Sequence, residues 1–224
     1  MIVSGIRARR VGLATGLALA ACSATLASAQ AAAPVSSDEA IKAARADSAR
    51  LPYTTADIAF MQGMIGHHAQ AIVMSNWAAT HGASPAVRTL ASRIINAQQD
   101  EISTMSTWLR DRRQTVPDPH AMGMKMMMGG HEETMLMPGM LTDEQMKALD
   151  AARGPAFDDL FLTDMIQHHK GAVSMVHQLF ETYGAGQDEY IFKYASDVNV
   201  DQTTEIARMQ KMLASITLGI NADY

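Results

Sequence analysis

Cysteine is all but missing from this chain. Cys22 stands alone among 224 residues, so no intramolecular disulfide can form and no thiolate cluster can bind a metal. Aromatic residues make up only 5 % of the sequence, and runs of β-branched residues are scarce. That excludes an ordinary sheet core and, with many Ala and Met, favours helices. Charge is sparse at 18 % and slightly acidic, at −5 formally. With no basic stripe, nucleic acid is not an expected partner. The apolar stretch 11–21 falls short of the roughly twenty residues that span a bilayer.

That stretch follows Arg7, Arg9 and Arg10, and the combination reads as an export signal over residues 1–29. Two cleavage readings stand side by side. Ala27-Ser28-Ala29 fits ordinary signal peptidase and leads to the periplasm. Leu19-Ala20-Ala21-Cys22 resembles a lipoprotein box, which would anchor the chain to a membrane through Cys22; membrane contact is expected in that case alone. Loss of residues 1–29 removes three arginines and no acid, leaving a more acidic chain. Residues 30–52, with Ala, Ser and Pro, are expected to form a flexible segment.

What the chain has in plenty is methionine, 18 residues in all, and a motif that occurs twice. Shifted by 101 positions, Asp57, Phe60, Met64, Ile65, His67, His68, Ala71 and Met74 fall on Asp158, Phe161, Met165, Ile166, His168, His169, Ala172 and Met175. Around each copy the sequence predicts an antiparallel helical hairpin. Thr54 or Thr55 caps a helix running to His81, and Ser84-Pro85 starts a second that ends before Pro117. Gly154-Pro155 opens a third over about 156–183, and a fourth follows over about 187–213. Val198, Glu205, Ile206, Met209 and Leu213 of the fourth match Ile94, Glu101, Ile102, Met105 and Leu109 of the second. Two such amphipathic hairpins bury their faces best as a four-helix bundle over residues 53–215, with half-repeats 53–112 and 155–215. The insert between them, 114–141, is expected to be mostly irregular, with a capping box at Thr142–Gln145 opening a short helix.

At about 100° per residue, Met64, His67, His68, Ala71 and Met74 share one helical stripe, as do Met165, His168, His169, Ala172 and Met175. Imidazole with thioether is a soft-metal ligand set. Thioether selects Cu(I), while imidazole accepts Cu(I), Cu(II) and Zn(II). Copper is therefore the expected ion, Cu(I) before Cu(II), with zinc less suited. Glu101 and Glu205 are placed to orient liganding imidazoles. In the insert, His120, Met122, Met124, Met126, Met127, Met128 and His131 offer a flexible chain many interchangeable soft ligands. The competing reading of all these methionines is adaptable apolar filler.

The two motifs, with Gln98, Glu101-Ile102, Met105 and Trp108-Leu109 after the first and Gln202, Glu205-Ile206, Met209 and Leu213 after the second, resemble the bacterial domain-of-unknown-function 305 family. Met212 stands where Trp108 does, and Lys170-Gly171 replaces Ala69-Gln70; neither change touches the stripe. The resemblance implies a ferritin-like four-helix fold and a likeness to periplasmic copper-tolerance proteins. The expectation is a non-enzymatic protein that sequesters or transfers copper, with a copper exporter or another periplasmic copper protein as partner. Two alternatives stay open, a ferritin-like metal-dependent oxidase and a helical interaction module without metal. Oxidases of that type use Glu-x-x-His motifs, which are absent.

Overall fold

The computed structural model describes residues 53–119, 124–128 and 131–219. The helices are α1 (Thr55–Trp77), α2 (Pro85–Asp111), α3 (Asp143–Ala151), α4 (Pro155–Glu181) and α5 (Glu189–Leu218). Between α2 and α3 lie two strands, β1 (Met124–Met128) and β2 (His131–Met135). The architecture is a helical bundle of two antiparallel hairpins, α1–α2 and α4–α5, as the repeat implies. The signal segment, residues 30–52, Cys22, His120 and Met122 lie outside the described residues.

Four of the five helices begin where a side chain satisfies their first N–H groups; α4 begins instead at Gly154-Pro155, with proline in its first turn. Thr54 and Asp57 form a capping box on α1. Ser84 caps α2, its Oγ accepting from Val87 N at 3.3 Å. Thr142 and Gln145 form the box on α3. Asp188 caps α5, accepting from Tyr190 N and Ile191 N at 2.9 and 3.1 Å.

Three boundaries differ from the sequence reading. α1 stops at Trp77 rather than His81, because the N–H groups of Ala78, Thr80 and His81 turn back to Ser75 and Trp77 in tight turns. His81 then folds inward, stacks on Trp77 and places Nε2 3.0 Å from Asp150 Oδ1. α5 runs on to Leu218 and ends at Gly219 with φ 62°. The insert is not simply irregular: β1 and β2 pair antiparallel, Met124 opposite Met135 and Met128 opposite His131.

The repeated aspartates lock the two hairpins together. Buried Asp57 accepts from Thr54 N at 2.7 Å through Oδ2 and from Gly186 N at 2.8 Å through Oδ1. Asp158 accepts from Ser84 N at 3.1 and 3.2 Å. Each carboxylate at the start of one hairpin thus holds the turn of the other, which sets α1 and α4 antiparallel. Arg112 adds a buried tie, its Nη2 donating to Asp188 Oδ2 at 3.0 Å with its guanidinium 4.2 Å over the Trp108 ring.

Asp57→Ala removes a cap and an inter-hairpin bond together, an expected loss of about 3 kcal/mol. Asp158→Ala should cost less, about 2 kcal/mol. Urea unfolding midpoints measure both. If neither midpoint moves, the clamp contributes nothing to assembly.

The core falls into two clusters related by the repeat. One joins Met74 of α1, Ile94 of α2, Met146 and Leu149 of α3, Met165 of α4 and Met209 of α5. The other joins Met64 of α1, Met105 of α2, Met175 of α4 and Val198 of α5. The His pairs lie on α1 and α4 between the two.

Candidate metal centre

Both copies of the motif lie deep in the bundle, with both histidines of each pair on the interior. His67, His68, His168 and His169 are fully buried, as are Met64, Met74, Met165, Ala71 and Ala172, while Met175 retains 6 % exposure. The α1–α4 crossing brings the first histidine of each pair face to face, with the His67 and His168 rings 3.8 Å apart between centroids and tilted by 42°. The second histidine of each pair points toward its own hairpin partner. His68 Nε2 lies 2.6 Å from Glu101 Oε2, out of line for a well-formed hydrogen bond. His169 Nε2 bonds Glu205 Oε2 at 2.7 Å.

Burial sets the charge of the central pair. Removal from water holds His67 down at about 3, with the neighbouring His68 adding to the effect. The same burial, followed by the charge of His67, holds His168 well below the usual histidine range. Both rings are therefore neutral near pH 7, the state a ligand requires.

His67 Nε2 meets the Pro138 carbonyl oxygen at 3.0 Å. A carbonyl can only accept, so Nε2 carries the proton and Nδ1 the lone pair. That Nδ1 is buried without a hydrogen-bond partner among the described residues. So are Nδ1 of His68 and His169 and, apart from an approach to the His67 backbone too poorly aligned for a full hydrogen bond, both ring nitrogens of His168. Buried polar atoms are ordinarily paired, so this concentration of unpartnered imidazole nitrogen beside thioethers is a feature in need of a cause. A soft cation is the chemistry these donors fit. Among the described residues no three His, Cys, Asp or Glu side chains converge into a ready-made ligand cluster.

The Pro138 carbonyl belongs to a strap, residues 137–141, that crosses the histidine level. Met140 N bonds Met137 O at 3.1 Å, and Gly139 turns the chain at φ 79°. Gln70 grips Leu141 twice, Nε2 donating to its carbonyl at 3.0 Å and Oε1 accepting from its N–H at 2.7 Å. Gly139 lies directly on Gly171 of α4. A Cβ on Gly171 would sit 1.9 Å from Pro138 O and 2.6 Å from Gly139 Cα. Sequence reasoning missed this strap, although a signal was present: Ala69-Gln70 against Lys170-Gly171 is one of the places where the two motifs depart from one another.

The insert residues are not shown to join this centre. Met124, Met126, Met127 and Met128 lie on β1 and His131 on β2. His81 is buried against Trp77, Phe157 and Asp150 at the far end of α1, and His177 is exposed. Sequence reasoning also left out Met105 and Met209, which are fully buried and share clusters with the repeated methionines.

Comparison with known proteins fits this architecture. An uncharacterized protein of Acanthamoeba polyphaga mimivirus is 40 % identical over 57 residues, which cover 25 % of this chain and 38 % of the viral protein. Among solved structures, a DUF305 protein from Streptomyces coelicolor is 28 % identical over 75 % of this chain and 97 % of its own, with TM-score 0.59. CopM in its Cu(II)-bound form is 29 % identical over 71 % of this chain and 96 % of its own, with TM-score 0.54. The Cu(I)-bound form of CopM is 27 % identical over 73 % and 98 %, also at 0.54. The profile of a domain of unknown function (DUF305) matches residues 57–213, which takes in both motifs, both aspartate clamps and the strap, and the chain belongs to that family.

Proposed function

We propose that this protein is an exported, non-enzymatic copper carrier that sequesters or hands over Cu(I), and also binds Cu(II), in copper tolerance. The observation that carries this reading is the set of buried, unpartnered imidazole nitrogens flanked on both sides by buried thioethers. His67, His68, His168 and His169 would hold the ion with Met64, Met74, Met165 and Met175. Glu101 and Glu205 fix the outer imidazoles rather than binding metal themselves. The Met-rich insert, His120 to His131, would capture Cu(I) before the buried centre does. CopM, similar in fold and in sequence, has Cu(I)-, Cu(II)- and silver-bound structures, which supports copper as the ion. The export-like sequence at 1–29 and a Streptomyces coelicolor relative described as secreted support export, and the periplasm would be the site of action. A copper exporter or another periplasmic copper protein would be the delivery partner.

The test is a competition titration against a chelator of known affinity, with the apoprotein at pH 7. Wild-type protein should bind Cu(I) and Cu(II) saturably. His67→Ala with His168→Ala should lower Cu(II) affinity at least tenfold, about 1.4 kcal/mol, while circular dichroism stays helical. At a hundredfold excess over Kd, metal should add about 2.7 kcal/mol of stability. Equal binding by wild type and the double variant would make the histidine face purely structural.

A further inference from the structure

The two thioether clusters are equivalent by the repeat but not equally covered. On one side Met74 is sealed completely, packed with Leu141 and with Met146 and Leu149 of α3. Phe157 and Leu160 add bulk there from the start of α4. Shifted back by 101, those two positions are Ala56 and Ala59 of α1. Where the second motif has an aromatic and a leucine, the first has two methyl groups. The result is a groove of about 250 Å³ between α1 and α4 on the other side.

That groove has specific chemistry. Its walls include Ala59, Met137, Pro138 and Met175, with Gln178 and Thr182 as polar neighbours, and among the described residues no charged side chain lines it. Met175 alone among the four repeated methionines keeps some exposure. Met137 is half-buried and packs against the same cluster. Met140, three residues on, is committed elsewhere, its Sδ accepting from Met137 N at 3.3 Å. The next residue along the strap from Met137 is Pro138, whose carbonyl holds His67. In the other direction, Met137 is two residues from the end of β2 in the Met-rich insert. A neutral groove with two thioethers attracts neither hard divalent cations nor anions; it suits a soft monovalent ion.

We propose that this groove is a port of access to the buried centre, with Met137 and Met175 as the ligand pair that passes Cu(I) into it. The ion then moves inward by ligand exchange to the imidazole and thioether donors of the motif. No electron or proton is transferred, because thioether and neutral imidazole are uncharged before and after. The proposal rests on the copper reading above, and it assigns a role to Met137 that the repeat alone does not.

Silver, a diamagnetic soft monovalent ion, is the probe. Full-length exported protein carrying 13C-methyl methionine is titrated with Ag(I), and loading is followed by stopped flow. The methyl signals of Met137 and Met175 should move with the first substoichiometric additions. Met137→Leu, which removes one sulfur, and Ala59→Phe, which fills the groove and removes none, should each slow loading of the histidine centre at least tenfold. If both variants load at the wild-type rate, the port lies elsewhere and the copper reading stands. If Ag(I) moves no methionine methyl and no ring signal of His67 or His168 in wild type, the copper reading falls and this proposal falls with it.

Discussion

Gly171→Ala will detach the strap from the bundle and destabilise the protein, although alanine is the better helix former. The two effects compete in sign. In a helix interior, alanine is favoured over glycine by about 1 kcal/mol. Against this, the new Cβ would lie 1.9 Å from Pro138 O, 2.4 Å from Pro138 C and 2.6 Å from Gly139 Cα, all of them backbone atoms that no rotamer change can move. Relief requires the strap to lift. Lifting strains the His67 bond to Pro138, the two Gln70 bonds to Leu141 and the Gln167 bond to Gly139. At about 1 kcal/mol per bond, with overpacking of similar size, the expected net loss is about 2–4 kcal/mol. Gly139→Ala should act similarly, since its Cβ would lie 2.6 Å from Gly171 Cα and its φ is 79°. Because both substitutions break one contact, the double variant should lose less than the sum. Urea unfolding and hydrogen exchange at Leu141 N–H report the result. An unchanged or raised midpoint for Gly171→Ala would mean that the strap yields freely and does not seal the histidines.

The bundle was legible because its determinants are local and repeated. Ser84 and Thr142 with Gln145 mark helix starts through bonds spanning three residues, and Gly154-Pro155 marks one through proline in the first turn. The two stripes put the same residue types at the same phase, so both had to face inward together. What escaped was set by partners distant in sequence. Gly186 lies 129 residues from Asp57, and Asp188 lies 76 from Arg112, so neither tie leaves a periodic trace. The hairpin β1–β2 escaped for another reason. Met at four of the five β1 positions gives no alternation between faces, and alternation is the signal that identifies a strand.

The site divides in the same way. Periodicity placed four histidines and four methionines inside, and the structure buries all eight. It could not tell that His67 and His168 meet while His68 and His169 turn to glutamates, because that depends on how α1 and α4 cross. The strap was hidden in an exception to the repeat. Gln70 and Gly171 occupy equivalent positions and do opposite jobs, one reaching out to grip the strap and the other vanishing to admit it. A departure between two copies of a motif marks a place where the pseudo-symmetric halves meet something that is itself not repeated.

The metal-free protein should lose stability steeply as pH falls below about 6, and the central histidines should be the cause. His67 and His168 have folded pKa values below their unfolded value of about 6.5. Above that value both states hold the rings neutral, and no stability is at stake. Below it the unfolded chain takes up protons that the folded chain refuses, so folding is penalised further with each unit of acid. For His67 this continues down to about pH 3. The slope is about 1.4 kcal/mol per pH unit for each histidine. Asp164 opposes this trend. Burial raises its carboxyl to about 6, so the folded state gains protons there first and stability rises as pH falls through that point. Asp164 keeps 7 % exposure, and it counters at most one of the two histidines. The net expectation is a loss of about 3 kcal/mol between pH 6 and pH 4. His67→Gln with His168→Gln should flatten the curve over that range and leave the Asp164 contribution visible with its opposite sign. Urea midpoints taken at half-unit steps on chelator-treated protein test this directly. Parallel curves for wild type and the double variant would show that the two rings are hydrated and titrate normally, which would also remove the main reason for regarding them as neutral, ready ligands at neutral pH.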